Sequence, residues 1–153
     1  MESIHLSDYL DSSSLSLSLK SATKDEALAE LVDLLPIDPG SRNIALHLVR
    51  SREELGSTGI GKGIAIPHVR STIFPNITLA YGRSEKGIDF ASVDGEPVHH
   101  IFLVASPPID PSNLYHPILA QIVRLVRLAK NRKKLAEIDS KAELLNLIDE
   151  LTA

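Results

Sequence analysis

Arg52-Glu-Glu-Leu-Gly56-Ser-Thr-Gly-Ile-Gly61-Lys-Gly-Ile-Ala-Ile-Pro67-His68 changes character halfway along its length. Up to Leu55 it closes a helical pattern. From Gly59 the glycines weaken a helix, and Ile64 and Ile66 alternate as in a strand. That strand must end at or before Pro67 unless it lies on a sheet edge, because proline has no N–H for a ladder. The segment therefore reads as a helix end, a glycine-rich loop and a short strand that delivers a histidine.

Upstream, Ser12 to Leu19 alternates Ser with Leu and reads as a strand of period two. Thr23-Lys-Asp-Glu26 has the form of a capping box, followed at helical spacing by Ala27, Leu28, Leu31, Val32 and Leu35 as far as Pro36. Asp38-Pro39 restarts a helix with proline at its first position. Its expected buried stripe is Ile44, Ala45, Leu48, Val49 and Leu55, with Gly56 as the C-terminal cap. Downstream, Ile77 to Gly82 and Val98 to Ala105 are two more strands, the second apolar enough to be central, with a turn between Phe90 and Pro97. After a stiff loop with Pro107, Pro108 and Pro111, Leu114 to Lys130 predicts a helix that buries Ile118, Leu119, Ile122, Val126 and Ala129. Ser140-Lys-Ala-Glu143 opens a final helix. Strands interleaved with helices predict an α/β fold, a mixed central sheet covered by helices on both faces.

The length of 153 residues suits one domain, expected over 1–153, and the 43% apolar and 24% charged composition is that of a globular protein. A net charge of −4 argues against a sequence-independent nucleic-acid binder. Basic residues gather from Arg124 to Lys141, but they are spread around helix and read as a solvated face. The absence of cysteine excludes disulfides, thiolate metal sites and a cysteine nucleophile. The acidic start lacks the basic region of a signal peptide, and no apolar run is long enough to span a bilayer. A cytoplasmic protein with no direct membrane insertion is expected.

Gly56 to Gly63 nearly spells a phosphate-binding P-loop, but Gly63 stands where Ser or Thr must hold magnesium, and the helix-to-strand order is reversed. A nucleotide is therefore not expected. What the loop can offer is a close approach of backbone N–H groups at Gly59 and Gly61 to a dianion, beside the Ser57 and Thr58 hydroxyls. Arg52 is near in sequence. His68, held just after Pro67, presents an imidazole nitrogen that is a good nucleophile toward phosphorus near neutral pH. His99 and His100 are neighbours on a strand, point to opposite faces and cannot share one metal ion. They, His5 and His47 read as structural or surface residues, and no metal or other cofactor is expected.

The stretch from Arg52 to His68 resembles the phosphorylation-site signature of enzyme IIA of the phosphoenolpyruvate-dependent sugar phosphotransferase system, of the mannitol/fructose and nitrogen-regulatory type. Gly87-Ile-Asp-Phe-Ala-Ser-Val-Asp94-Gly-Glu-Pro97-Val resembles the family's later segment before its central strand, and the likeness spans roughly residues 15–151. The resemblance implies that His68 accepts a phosphoryl group from the histidine-containing phosphocarrier protein. It would then pass it to an enzyme IIB or signal to a regulated protein by its phosphorylation state. Arg52 matches the motif's arginine and would steady the phosphoryl oxygens, and Ser57 and Thr58 fall on its hydroxyl positions. The lack of an attached sugar-binding or membrane domain favours the regulatory branch. The alternative is a non-catalytic module of the same fold that regulates a partner by contact. The family's second histidine, at the start of the long C-terminal helix, has no clear counterpart. One register places Tyr115 there, another Ile118, and His116 reaches the site only through the lengthened loop.

Overall fold

The computed structural model describes residues 4–152. Six strands form one mixed sheet: β1 (Leu15–Ser16), β2 (Gly59–Gly61), β3 (Ile64–Ala65), β4 (His68–Arg70), β5 (Thr78–Ile88) and β6 (Val98–Ser106). The order is β1-β5-β6-β3-β2. β4 prolongs the line of β3 along the same side of β6. β5 and β6 are antiparallel, whereas β1 runs parallel to β5 and both β3 and β4 run parallel to β6. β6 is central, as its near-continuous apolar run predicts, and all its residues except His99 are buried.

Helices α1 (Lys24–Val32) and α2 (Arg42–Leu55) cover one face, packing Leu28, Leu31, Ala45 and Val49 against Ala65, Val69, Ala80, Ile101 and Leu103. The other face carries α3 (Tyr115–Arg127), α4 (Ala129–Glu137) and α5 (Lys141–Thr152). There Tyr115, Ile118, Ile122, Leu144 and Ile148 meet Ile64, Ile66, Tyr81, Phe102 and Val104. Alternate residues of β6 thus serve alternate cores, which is the period-two rule of a strand covered on both sides. Both predicted capping contacts form: the N–H of Glu26 donates to the Thr23 hydroxyl at 3.2 Å and that of Glu143 to the Ser140 hydroxyl at 3.1 Å.

Several local expectations are corrected. Ser12–Ser14 is a 3-10 turn closed by the Asp11 side chain, so only Leu15–Ser16 of the alternating stretch enters the sheet. On α2, Ile44 is 52% and Leu55 85% exposed, and the buried positions are Ala45, Leu46, Val49 and Glu53. The predicted helix from 114 to 130 breaks at Leu128, which is extended and separates α3 from α4. Arg132 donates to the carbonyls of Val126 and Arg127 at 2.8 Å each, satisfying groups that the break would otherwise strand.

Candidate functional site

His68 is the first residue of β4 and pairs with Val104. The turn before it is fixed on both sides: the N–H of Ile66 donates to the Thr58 carbonyl at 3.0 Å, and the Pro67 carbonyl accepts from Val104 at 2.9 Å. His68 Nδ1 lies 2.8 Å from the Ile66 carbonyl oxygen. A carbonyl only accepts, so Nδ1 carries the hydrogen and the lone pair of the neutral ring resides on Nε2. The ring is half-buried. One nitrogen is thus committed to orientation and the other is left for chemistry.

Arg70 follows two residues later and shares the strand face of His68, while Val69 between them turns into the opposite core. The Arg70 guanidinium lies 4.3 Å over the ring of Tyr115, and its Nε donates to the Pro107 carbonyl at 3.1 Å. This is a stacked, hydrogen-bonded arginine, held in one orientation beside the histidine strand. Tyr115 opens α3 and is only 6% exposed. Burial raises its phenol above the ordinary range, and the charges of Arg70 and, more weakly, Arg52 oppose that rise. Both guanidinium groups therefore act on the same phenol. Asp110 fixes the start of α3 by accepting from the Tyr115 N–H at 3.0 Å and from the Leu114 N–H. Its carboxyl is held below the usual range by the Ser112 hydroxyl first and by these N–H groups.

His116 is exposed and lies edge-on to Tyr115 with ring centroids 5.1 Å apart. It lines a cavity of about 360 Å³ with Arg70, Ile109, Asp110 and Tyr115. The buried, Arg70-stacked aromatic at the head of α3 is thus Tyr115, with His116 at its rim. Ile118 points into the core, fully buried.

Arg52, in the last turn of α2, donates to the Gly56 carbonyl at 3.1 Å. The loop that follows is anchored by Glu53, which is only 7% exposed. Its carboxylate accepts from the Thr58 N–H at 2.9 Å and the Thr58 hydroxyl at 2.6 Å, and pairs with Lys24 Nζ at 2.9 Å. The Ser57 hydroxyl donates to the Phe90 carbonyl and accepts from the Gly59 N–H at 3.0 Å. The hydroxyls and the Gly59 amide expected to face a dianion therefore have partners inside the protein, and they shape the loop. Gly59 serves close packing, since a Cβ there would lie 2.2 Å from the Ser92 Oγ. Gly61 has φ +97° in the β2–β3 turn, a conformation that glycine adopts without strain. Arg70 and Glu53 were missed by sequence reasoning. Glu53 lies outside the apolar stripe expected for its helix, and the signal for Arg70 is its period-two spacing from His68.

Among the described residues there is no cluster of three or more potential metal ligands, and no helix is long and apolar enough to cross a membrane.

Residues 8–151 match the family model for the "phosphoenolpyruvate-dependent sugar phosphotransferase system, EIIA 2". The chain belongs to this family of phosphotransferase-system phosphocarriers, the EIIA type 2 domains. Among its relatives is the fructose-specific EIIABC component of Bacillus subtilis, 30% identical over 147 residues and 95% of this chain. The chain spans only 23% of that relative's length. The nitrogen regulatory protein of Bradyrhizobium diazoefficiens is 36% identical over 119 residues, covering 76% of each chain. The crystal structure of nitrogen regulatory protein IIA-Ntr from Neisseria meningitidis superposes with a TM-score of 0.86 at 25% identity, over 94% of this chain and 98% of that one.

Proposed function

We propose that this protein carries a phosphoryl group on Nε2 of His68, taken from the phosphohistidine of a histidine-containing phosphocarrier protein. The observation that carries the reading is the bond from His68 Nδ1 to the Ile66 carbonyl, which leaves Nε2 as the free nucleophilic nitrogen beside Arg70. In the transfer, the Nε2 lone pair attacks phosphorus in line as the donor's N–P bond breaks, and that electron pair returns to the donor imidazole. The positive charge developing on the His68 ring is shared with the Ile66 carbonyl through the Nδ1–H. Arg70 and Arg52 supply charge for the equatorial phosphoryl oxygens, with the Tyr115 hydroxyl as a further donor in place of a second imidazole.

From His68 the phosphoryl group passes to an enzyme IIB or is retained as a signal. The regulatory role is supported by the likeness to nitrogen regulatory proteins in both sequence and structure. The fructose-specific relative supports a transport role as the second reading. The test is incubation with phosphoenolpyruvate and the two general relay proteins, followed by phosphorus NMR. An acid-labile Nε2-phosphohistidine is expected in the native protein and none in His68→Ala. Native protein that stays unphosphorylated would overturn the reading. Rapid discharge to an isolated fructose enzyme IIB would favour transport over signalling.

A further inference from the structure

Toward the opposite end of β6 from His68 lies a cavity of about 530 Å³, lined among others by Lys62, Arg83, His99, His100 and Arg132. His100 precedes Val104, the partner of His68, by four residues, which is about 13 Å along a strand. The cavity is therefore separate from the phosphohistidine candidate.

Its two arginines are fixed in place. Arg83 Nε donates to the Leu17 carbonyl at 3.0 Å, and its Nη1 to the carbonyls of Leu135 at 2.9 Å and Ile138 at 2.7 Å. Arg132 is held through Nη1 by the carbonyls of Val126 and Arg127. Neither Nη2 group has a protein hydrogen-bond partner among the described residues, and none of Lys62, Arg83 and Arg132 pairs with a carboxylate there. Helix-end carbonyls thus hold these guanidinium groups without neutralising them, leaving planar donors at a cavity wall. That arrangement suits a tetrahedral dianion.

The remaining wall is of a different kind. His99 Nδ1 donates to the Ser84 carbonyl at 2.8 Å, so its Nε2 is an acceptor in the neutral ring. Glu85 and Asp139 add carboxylates. Such acceptors suit hydroxyl groups. The buried His100 ring is hydrogen-bonded to the Tyr81 phenol at 2.7 Å. Burial above all keeps it neutral, so it belongs to the uncharged part of the wall. The volume falls in the range of small-molecule sites.

We propose that this cavity binds a small phosphomonoester bearing hydroxyl groups, its phosphate held by Arg83, Arg132 and Lys62 and its hydroxyls by His99, Glu85 and Asp139. This inference is independent of phosphorylation at His68.

The test is an amide NMR titration of the full chain with glucose 6-phosphate, glycerol 3-phosphate, glucose and inorganic phosphate. Saturable shifts centred on Lys62, His99 and Arg132 are expected with one or both phosphorylated polyols at millimolar concentration. Glucose should produce none, and inorganic phosphate should bind more weakly. Lys62→Gln, whose side chain makes no protein hydrogen bond among the described residues, should weaken binding about 10-fold, the loss of one charge-assisted contact. His68→Ala should bind as the native protein does, so failure here and failure of the phosphocarrier reading are separable. Absence of saturable shifts with both phosphorylated polyols, equal shifts with inorganic phosphate, or unchanged affinity in Lys62→Gln would each overturn the proposal.

Discussion

The division of labour between the two nitrogens of His68 sets what its neighbours can contribute. Nδ1 is spent on the Ile66 carbonyl, so any stabilisation of a phosphoryl group on Nε2 must come from outside the ring. Arg70 is the better-held of the two candidate arginines, being stacked on Tyr115 and bonded to Pro107. Replacing Arg70 by Ala is expected to slow phosphotransfer by about 10- to 100-fold, the worth of one hydrogen bond to a charged group, as measured in a quenched transfer assay. Arg70→Lys should recover only part of that loss, because an ammonium neither stacks nor forks in the same way. Tyr115→Phe keeps the ring under Arg70 and removes only the hydroxyl. A rate drop of about 5-fold or more in this variant would assign the phenol a role, whereas an unchanged rate would leave it as a platform for Arg70. His68 and Arg52 entered as candidates from the motif. Period-two spacing puts Arg70 on the face of His68, but its stack against Tyr115, a residue far along the chain, is not readable from spacing.

At the scale of elements, the glycine-rich loop depends on a helix residue outside the apolar stripe expected from the sequence. Glu53 lies at the C-terminal end of α2 and receives two donors from Thr58 and one from Lys24 of α1. Glu53→Ala would leave the buried Thr58 N–H and hydroxyl without that partner, and a loss of about 3 kcal/mol in urea unfolding is expected. Glu53→Gln should cost less, since the amide oxygen still accepts from Thr58. The helices and the two long strands were readable because each repeats its period over several turns or pleats. The break at Leu128 was not, because no Gly or Pro interrupts residues 118–130. The break is stabilised by Arg132 reaching back to the freed carbonyls. The exposure of Ile44 and Leu55 was likewise hidden, since a shift of a single residue turns the helix by about 100° and decides which apolar residues face the sheet.

For the molecule as a whole, the buried His100–Tyr81 pair couples stability to pH. His100 has its pKa lowered from 6.5 to about 4, chiefly by burial, with His99, Arg83 and Arg132 adding to the effect. The unfolded chain binds this proton first as pH falls, so the contribution is complete above about pH 6.5 and is lost progressively down to about pH 4. The full span corresponds to about 3 kcal/mol. Between pH 7 and pH 5 the native protein should lose about 2 kcal/mol more stability than His100→Gln, the other histidines being common to both, as read from urea midpoints at the two pH values.

The placement of β4 has a consequence for solubility. His68–Arg70 lies on an open margin of the sheet, paired only with β6, because β2 covers β3 and stops short of it. A strand left open on one side is also a strand another copy could extend. Its three-residue length and the charge of Arg70 on it are features that discourage such templating. Arg70→Ala would remove that charge, and light scattering on warming is expected to show self-association at lower temperature than in the native protein. The charge carried two residues from His68 thus also guards the open margin of the sheet.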